Sequence, residues 1–525
     1  MKRFWFCVLA VVLVLGVLAS CGPAEEAEPA DEPGEEEAEP TPAPEEETPT
    51  HLRFSRGPDL EGWGTYCTST GALYDLQRNV IEPLAEYSWH TYQYEPVLAE
   101  SWDIEDEGQT WVFNLRRGVH FHDGSEFTAD DVLHSWDRIL NDPDSDQQHH
   151  WNDVESITST DDYTVVFHLE RTRPDFINQV TNAFVTSKTT YDEVGRDEAN
   201  RRLIGTGPFT FVEWRTGSYV VLDRNDEYWD EDLNTPFERI TYRPIADKSA
   251  AMAALEAGEI DLVDGVPAHE VDRLAGIPGL EIMTCRSDRL WFNGLNPGVE
   301  PMDDVRVRRA VQHAIDVDRL IDTVLEGRAI RAPQYMAEGT PGYIPDLELY
   351  EYDTERAREL IDEAGYVDGI HDLDFYSISW VDGYLDLALG SQPMLEEAGI
   401  YTTIQTPERG VYSDLFTAGQ MALYNQGRGN TTTAGVQYLR QYFETGITDR
   451  LLYSNPEVDS LLQSAAAAID TSERDRLTQE AVRLIYADSP MMPLVWPDLT
   501  YAGRDWVDFT ATPDEYVRAF RIGVK

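Results

Sequence analysis

Residues 290–327 read LWFNGLNPGVEPMDDVRVRRAVQHAIDVDRLIDTVLEG, and their pattern changes period in the middle. The opening LWF is short, large and apolar, which predicts a buried strand ending at Asn293-Gly294. After a loop punctuated by Pro297 and Pro301, Asp303 or Asp304 is placed to cap a helix. Its apolar positions Val307, Ala310, Val311, Ala314 and Ile315 recur at i, i+3, i+4, i+7 and i+8. A second helix follows, with Asp318 as its expected cap, Leu320, Ile321, Val324 and Leu325 as its stripe, and Gly327 to end it in a left-handed turn. A strand feeding two helices predicts an α/β chain, and by itself it predicts only packing.

Composition narrows the function classes. The chain has 525 residues, 42% of them hydrophobic and 11% aromatic, enough for a large core of roughly three domain-sized units. Asp and Glu number 97 against 41 Lys and Arg, a net charge of −56, and Lys occurs only at positions 2, 188, 248 and 525. Such a field repels nucleic acid and anionic lipid surfaces, and predicts a protein of a salt-rich habitat with no nucleic-acid partner.

The amino end predicts an address. Lys2 and Arg3 precede an uninterrupted apolar run over 4–19 that is shorter than the ~20 residues a membrane span needs. Leu18-Ala19-Ser20-Cys21 resembles a bacterial lipoprotein cleavage box, so residues 1–21 read as a signal peptide and Cys21 as the lipidated residue. Residues 22–50, rich in Glu, Pro and Ala and without a basic residue, cannot bury a core and predict a disordered tether. Together these place the protein outside the cytoplasm, held on the membrane by its lipid. Cys67 and Cys285 remain, and outside the cytoplasm a disulfide between them is permitted.

Beyond residue 50 the chain alternates strands and helices. Residues 51–90 predict a strand, a Gly-rich loop and a helix with Leu73, Leu76, Val80 and Leu84 on one face; residues 111–115 and 119–121 predict strands. Thr128 with Asp131 forms a capping-box pattern ahead of Val132, Trp136, Ile139 and Leu140. Helices are also expected over 251–257, after Asp353, and over 392–398, 456–469 and 473–487. His120 and His122 would share a strand face near His149 and His150, but no Cys or carboxylate cluster completes a metal set at fixed spacing, so neither metal nor cofactor is expected. The GTG at 205–207 is followed by Pro208 and a strand, not by the helix N-terminus a phosphate loop requires. With no nucleophile elbow and no HExxH, a secreted hydrolase is the remote reading and a non-enzyme the expected one.

The run DDVRVRRAVQHAID at 303–316 resembles the most recognisable segment of the extracellular solute-binding proteins of family five, the dipeptide, oligopeptide and nickel receptors of ABC importers. LAESW at 98–102, ADDV at 129–132, GTGPFTFVEW at 205–214 and PMMPLVWPDLTYAGR at 490–504 resemble the same family in the same order. The resemblance implies a two-lobed periplasmic-binding-protein-like type II fold with an extra small domain. Residues 51–90, 205–292 and 487–525 would form the first lobe, 91–204 the small domain packed on it, and 293–486 the second lobe. It implies a receptor that captures a peptide or similar oligomeric solute between the lobes and delivers it to the permease and ATPase subunits of an importer.

Ligand-facing positions follow from the same resemblance. The loop holding Thr68, Ser69, Thr70 and Gly71 corresponds to a ligand-facing loop, with Trp63 and Tyr66 just ahead of it. Trp291 and Asn293 lie on the crossing strand, and Trp380 follows the segment where dipeptide receptors carry a carboxylate-binding Arg. In peptide-binding members an Asp after a Gly-Trp segment holds the peptide amine. The corresponding loop here, Tyr424-Asn425-Gln426-Gly427-Arg428-Gly429-Asn430, has neither Trp nor Asp. Tyr424, Gly427, Arg428 and Asn430 are therefore the expected contacts, and a polar neutral solute such as an oligosaccharide is the alternative to a peptide.

Overall fold

A computed structural model describes residues 48–57, 60, 71–91, 93–142, 145, 147–429, 435–447 and 450–525. The signal peptide, Cys21, nearly all of the tether, Trp63, Tyr66, Cys67, Thr68, Ser69, Thr70 and Asn430 lie outside these residues. Among the described residues no helix is long and apolar enough to cross a membrane.

The architecture is set by one long strand near the carboxyl end, Met491–Arg504, which is buried over most of its length. Its second half pairs antiparallel with Leu280–Arg286 and touches Leu262–Val263; its first half pairs with Leu290–Leu295 and Ala329–Arg331. On one side the sheet continues through Leu262–Val263, His51–Ser55, Arg239–Tyr242, Tyr219–Arg224 and Phe209–Arg215. On the other it runs through Leu290–Leu295, Leu423–Arg428, Ile370–Tyr376 and Ile400–Gln405. Proline cannot donate to a ladder. Pro493 and Pro497 sit in the strand near the change of partners, and the pairing with Leu290–Leu295 shifts register between Trp291 and Phe292.

Each side of that strand has its own core. Leu52, Phe54, Leu73, Leu76, Val80, Phe209, Leu222 and Ile240 pack with the late residues Tyr501 and Val517. On the other side, Val307, Ala310, Val311, Ala314, Ile315 and Leu320 pack with Leu360, Ile361 and Leu395, and a second cluster gathers Phe292, Tyr438, Phe443, Val458 and Ile485. Residues from Leu84 to Val185 hold a separate core around the four-stranded sheet Ala99–Glu105, Thr110–Leu115, Thr164–Leu169, Val154–Asp161. These are the mixed α/β layers of the expected fold class.

Local chemistry explains most helix starts. The backbone N–H of Thr128 donates to Asp131 at 2.9 Å at the head of Ala129–Asn141, as the capping box requires. Asp304 accepts from the N–H of Arg306 at 2.8 Å, and Asp353 from that of Arg356 at 2.9 Å. Three readings need correction. The cap of Val317–Thr323 is Asp316, which accepts from Arg319 at 3.0 Å, because Asp318 already lies within the first turn. The helix expected at 392–398 runs Tyr384–Glu397 and takes Pro393 in its interior, where a proline more often marks a first turn. Residues 119–121 contribute only an isolated bridge, His120 to Glu126, in place of a strand.

Candidate functional site

Strand direction decides where function can sit. Leu423–Arg428 and Ile370–Tyr376 are parallel to each other, and Leu423–Arg428 is antiparallel to Leu290–Leu295, with Leu290 opposite Arg428. The carboxyl ends of two strands therefore meet the amino end of the third beside the crossing between the halves. On the other half His51–Ser55 and Leu262–Val263 are parallel, and Leu262–Val263 is antiparallel to Met491–Arg504. Their carboxyl ends, leading to Arg56 and Asp264, face the same crossing. Carboxyl ends of strands at a change of topology are where open α/β sheets hold ligands.

On the half that carries Leu423–Arg428, Asn425 organises this end. Its amide donates to Ser377 Oγ at 3.0 Å and to the carbonyl of Tyr384 at 2.7 Å, and its oxygen accepts from the N–H of Ile378 at 3.1 Å. The Tyr412 hydroxyl donates to the Asn425 carbonyl. This fully used side chain fixes the loop after Ile370–Tyr376 and the start of Tyr384–Glu397 against one strand. Trp291 then stacks on Tyr384, ring centroids 4.4 Å apart. Gly427 opposes Trp291 in register, and a Cβ there would overlap the Tyr384 hydroxyl, so the close stacking depends on glycine.

On the other half a ladder of charges holds the closing segment. Arg56 reaches Asp75 at 2.5 Å and Asp264 at 3.3 Å, and Lys248 approaches Asp264 at 3.4 Å. Asp75 also accepts from the N–H of Val517 at 3.0 Å, and Asn79 from that of Phe520 at 3.1 Å. Helix Gly71–Val80 thus pins residues 517–520. Asp514 pairs with Arg518 at 2.5 Å; burial works against its ionisation, but the Arg518 charge holds its carboxyl down at about 2.

At the crossing between the halves Arg289 pairs with Glu515. Arg289 Nε donates at 2.8 Å and its Nη2 at 3.1 Å, one to each carboxylate oxygen, and Ser287 Oγ adds a donor at 3.1 Å. Burial alone would raise the Glu515 carboxyl, but the Arg289 charge and its hydrogen bonds outweigh it and hold the group ionised below its usual range. The Arg289 side chain runs beside Gly427 and Gly429, so this ion pair borders the strand end that carries Arg428.

Of the expected contacts, Trp291, Gly427 and Arg428 converge at this end. Trp380 stands on the neighbouring loop, 39% exposed, edge-on to Tyr412 at 5.5 Å. Asn293 and Tyr424 lie deeper along their strands and are enclosed, the Tyr424 hydroxyl donating to the Arg450 carbonyl at 3.2 Å. Ser69, Thr70 and Asn430 are not among the described residues. Sequence reasoning missed Arg289, Tyr384, Asn425 and Glu515. Glu515 has positive φ in an irregular segment and no periodic signal, whereas the YNQG run did contain Asn425. His122 is occupied structurally: a ring nitrogen lies 2.9 Å from the Gly207 carbonyl. Among the described residues no group of His, Cys, Asp or Glu is placed to hold a metal. Among the described residues Cys285 has no disulfide partner, and burial pushes its thiol up to about 12.

Residues 93–449 match the family described as bacterial extracellular solute-binding proteins, family 5 Middle. The chain is 26% identical over 457 residues to the heme-binding protein A of Haemophilus influenzae, covering 79% of this chain and 81% of that protein. It is 29% identical over 445 residues to the glutathione-binding protein GsiB of Salmonella choleraesuis, covering 80% and 84%. Its fold is similar to that of the ABC transporter-associated periplasmic binding protein DppA of Helicobacter pylori in complex with the peptide STSA. There the TM-score is 0.80, with 27% identity over 90% of this chain and 98% of the other.

Proposed function

The chain belongs to the bacterial extracellular solute-binding proteins of family 5, and from that premise we propose that it captures a peptide or similar oligomeric solute between two lobes and hands it to an ABC permease. The observation that carries this reading is the crossing itself. Leu280–Arg286 continues into Leu290–Leu295, Met491–Arg504 returns alongside both, and the strand ends of each half face each other across Arg289 and Glu515. Residues 51–90, 205–292 and 487–525 then act as one lobe carrying the small domain 91–204, and 293–486 as the other. Bending about the paired crossings opens and closes a cleft lined by Trp291, Trp380, Gly427 and Arg428, together with Ser69, Thr70 and Asn430. The role is that of a binding protein, like the relatives it resembles, and not of an enzyme.

The exposed indole of Trp380 favours a second solute class, since a flat aromatic face also stacks on sugar rings. Screening separates the two. A ligand at about 100 times its dissociation constant stabilises the folded state by about 2.7 kcal/mol, readable as a thermal shift with di- to hexapeptides and oligosaccharides. A response to neither class, with no solute retained through native purification, would overturn the receptor reading. The tether and cleavage box support a lipid anchor at Cys21. Expressed in a bacterium, the wild-type protein is expected to partition with membranes and Cys21→Ser to be released, and equal partition of both would refute the anchor.

A further inference from the structure

Among the described residues Arg428 is a cation without a counterion. It ends strand Leu423–Arg428, with its side chain on the face that also carries Phe292 and Tyr424. Its Nε is buried, and among the described residues no hydrogen-bond acceptor or carboxylate meets the guanidinium. The groups that act on it are the hydroxyls of Tyr442 and Tyr438 and two further cations, Arg450 and Arg289. Glu515, the carboxylate bordering this end, already gives both oxygens to Arg289. Among the described residues Arg450 is likewise without an acid, its guanidinium lying 5.3 Å from the centre of the Phe416 ring.

Scarcity of acids does not explain this, since they outnumber Lys and Arg by 97 to 41. A guanidinium partly withdrawn from water and left unpaired is costly, and burial together with the neighbouring cations pulls Arg428 below its ordinary pKa. An incoming carboxylate would remove that cost, gaining two parallel charge-assisted hydrogen bonds from a planar fork of donors. An ammonium group would meet only like charge.

We propose that Arg428 is the seat of a carboxylate supplied by the solute, so that this receptor selects peptide-like solutes by a free carboxylate at this end of the cleft. The inference rests on the receptor reading above and adds the charge of the solute and the residue that reads it.

The test begins with protein unfolded and refolded to strip any retained solute. Binding of tetra-alanine and of its C-terminal amide is measured by titration calorimetry, with glutathione, which carries two carboxylates, as a second probe. The wild-type protein is expected to prefer an acid over its neutral counterpart by roughly 30-fold, the worth of charge-assisted bonds to one carboxylate. In Arg428→Gln that preference is expected to collapse to about threefold or less, with Arg428→Lys intermediate because it keeps charge and loses the fork. In the solute-free state, Arg428→Gln is expected to unfold at the same temperature as wild type or higher, since it deletes an uncompensated charge. Equal affinity for acid and amide in the wild type overturns the proposal, as does an equal loss of both in Arg428→Gln. So does a marked fall in the solute-free unfolding temperature, which would make Arg428 a structural group. Mass spectrometry of solute from natively purified protein gives an independent arm: a retained solute without an anionic group overturns this inference while leaving the receptor reading intact. If no probe binds and no solute is retained, the receptor reading itself falls.

Discussion

Glu82 is a carboxylate enclosed where helix Gly71–Val80 gives way to the core around the four-stranded sheet. Tyr228 donates its hydroxyl to one oxygen at 2.6 Å, while Trp229 Nε1 at 2.9 Å and Thr206 Oγ1 at 2.8 Å donate to the other. Among the described residues no cation pairs with it. Burial dominates over these three donors and raises its carboxyl from 4.5 to about 7. Between those values the folded protein keeps a proton that the unfolded chain has lost, so stability falls as pH rises through this window. The loss is complete above pH 7, at about 1.4 kcal/mol per pH unit or about 3 kcal/mol in all. Glu82→Gln copies the protonated acid: its carbonyl accepts from Trp229 and Thr206, and its amide donates to the Tyr228 hydroxyl. Urea unfolding of both proteins, followed by tryptophan fluorescence at fixed ionic strength, isolates this group because every other titration cancels in the difference. The stability advantage of Gln over Glu is expected to grow by about 2 to 3 kcal/mol between about pH 5 and about pH 8. Growth of less than about 0.5 kcal/mol would show that the three donors stabilise the ionised form as well as water does, and would refute the argument.

Two further outcomes test other parts of the structure. Gly427→Ala drives a methyl group into the Tyr384 hydroxyl and within 3.1 Å of Trp291, so it should cost about 1 to 3 kcal/mol and weaken solute binding. Gly410→Ala, in a helix with nothing within 4 Å of the new methyl, should leave both unchanged or slightly improved; equal behaviour of the two variants would mean that the stack is not constrained by glycine. The net charge of −56 predicts an unfolding midpoint that rises with sodium chloride, as the Debye length falls from about 10 Å at 0.1 M to about 3 Å at 1 M. A flat response would mean that local ion pairs already compensate the carboxylates.

What could be read in the chain was local. The Thr128 and Asp131 pair, the Asp304 and Asp353 caps and the stripe from Val307 to Ile315 are patterns of three to nine residues, and each produced its element. What could not be read was assembled at a distance. Arg289 and Glu515 are separated by 226 positions, and Glu82 lies 146 from Tyr228. No periodicity links such partners, and each looks in the sequence like one more charge among many. Arg428 stands between these cases. The loop alignment singled out the residue, but only the structure shows that no carboxylate meets it among the described residues.

The strand Met491–Arg504 also fixes the order in which the molecule can be made. It is the shared neighbour of strands from both halves, yet it follows all of them in the chain, and residues 517–520, which pin helix Gly71–Val80, come later still. Neither half can complete its sheet before this strand has been made. Strands Leu262–Val263, Leu280–Arg286 and Leu290–Leu295 keep open edges until residues 491–504 have been made, and assembly must then join contacts far apart in sequence, a slow event. A chain ending before residue 491 would lack the central strand of both halves at once, leaving two exposed sheet edges liable to pair with other chains.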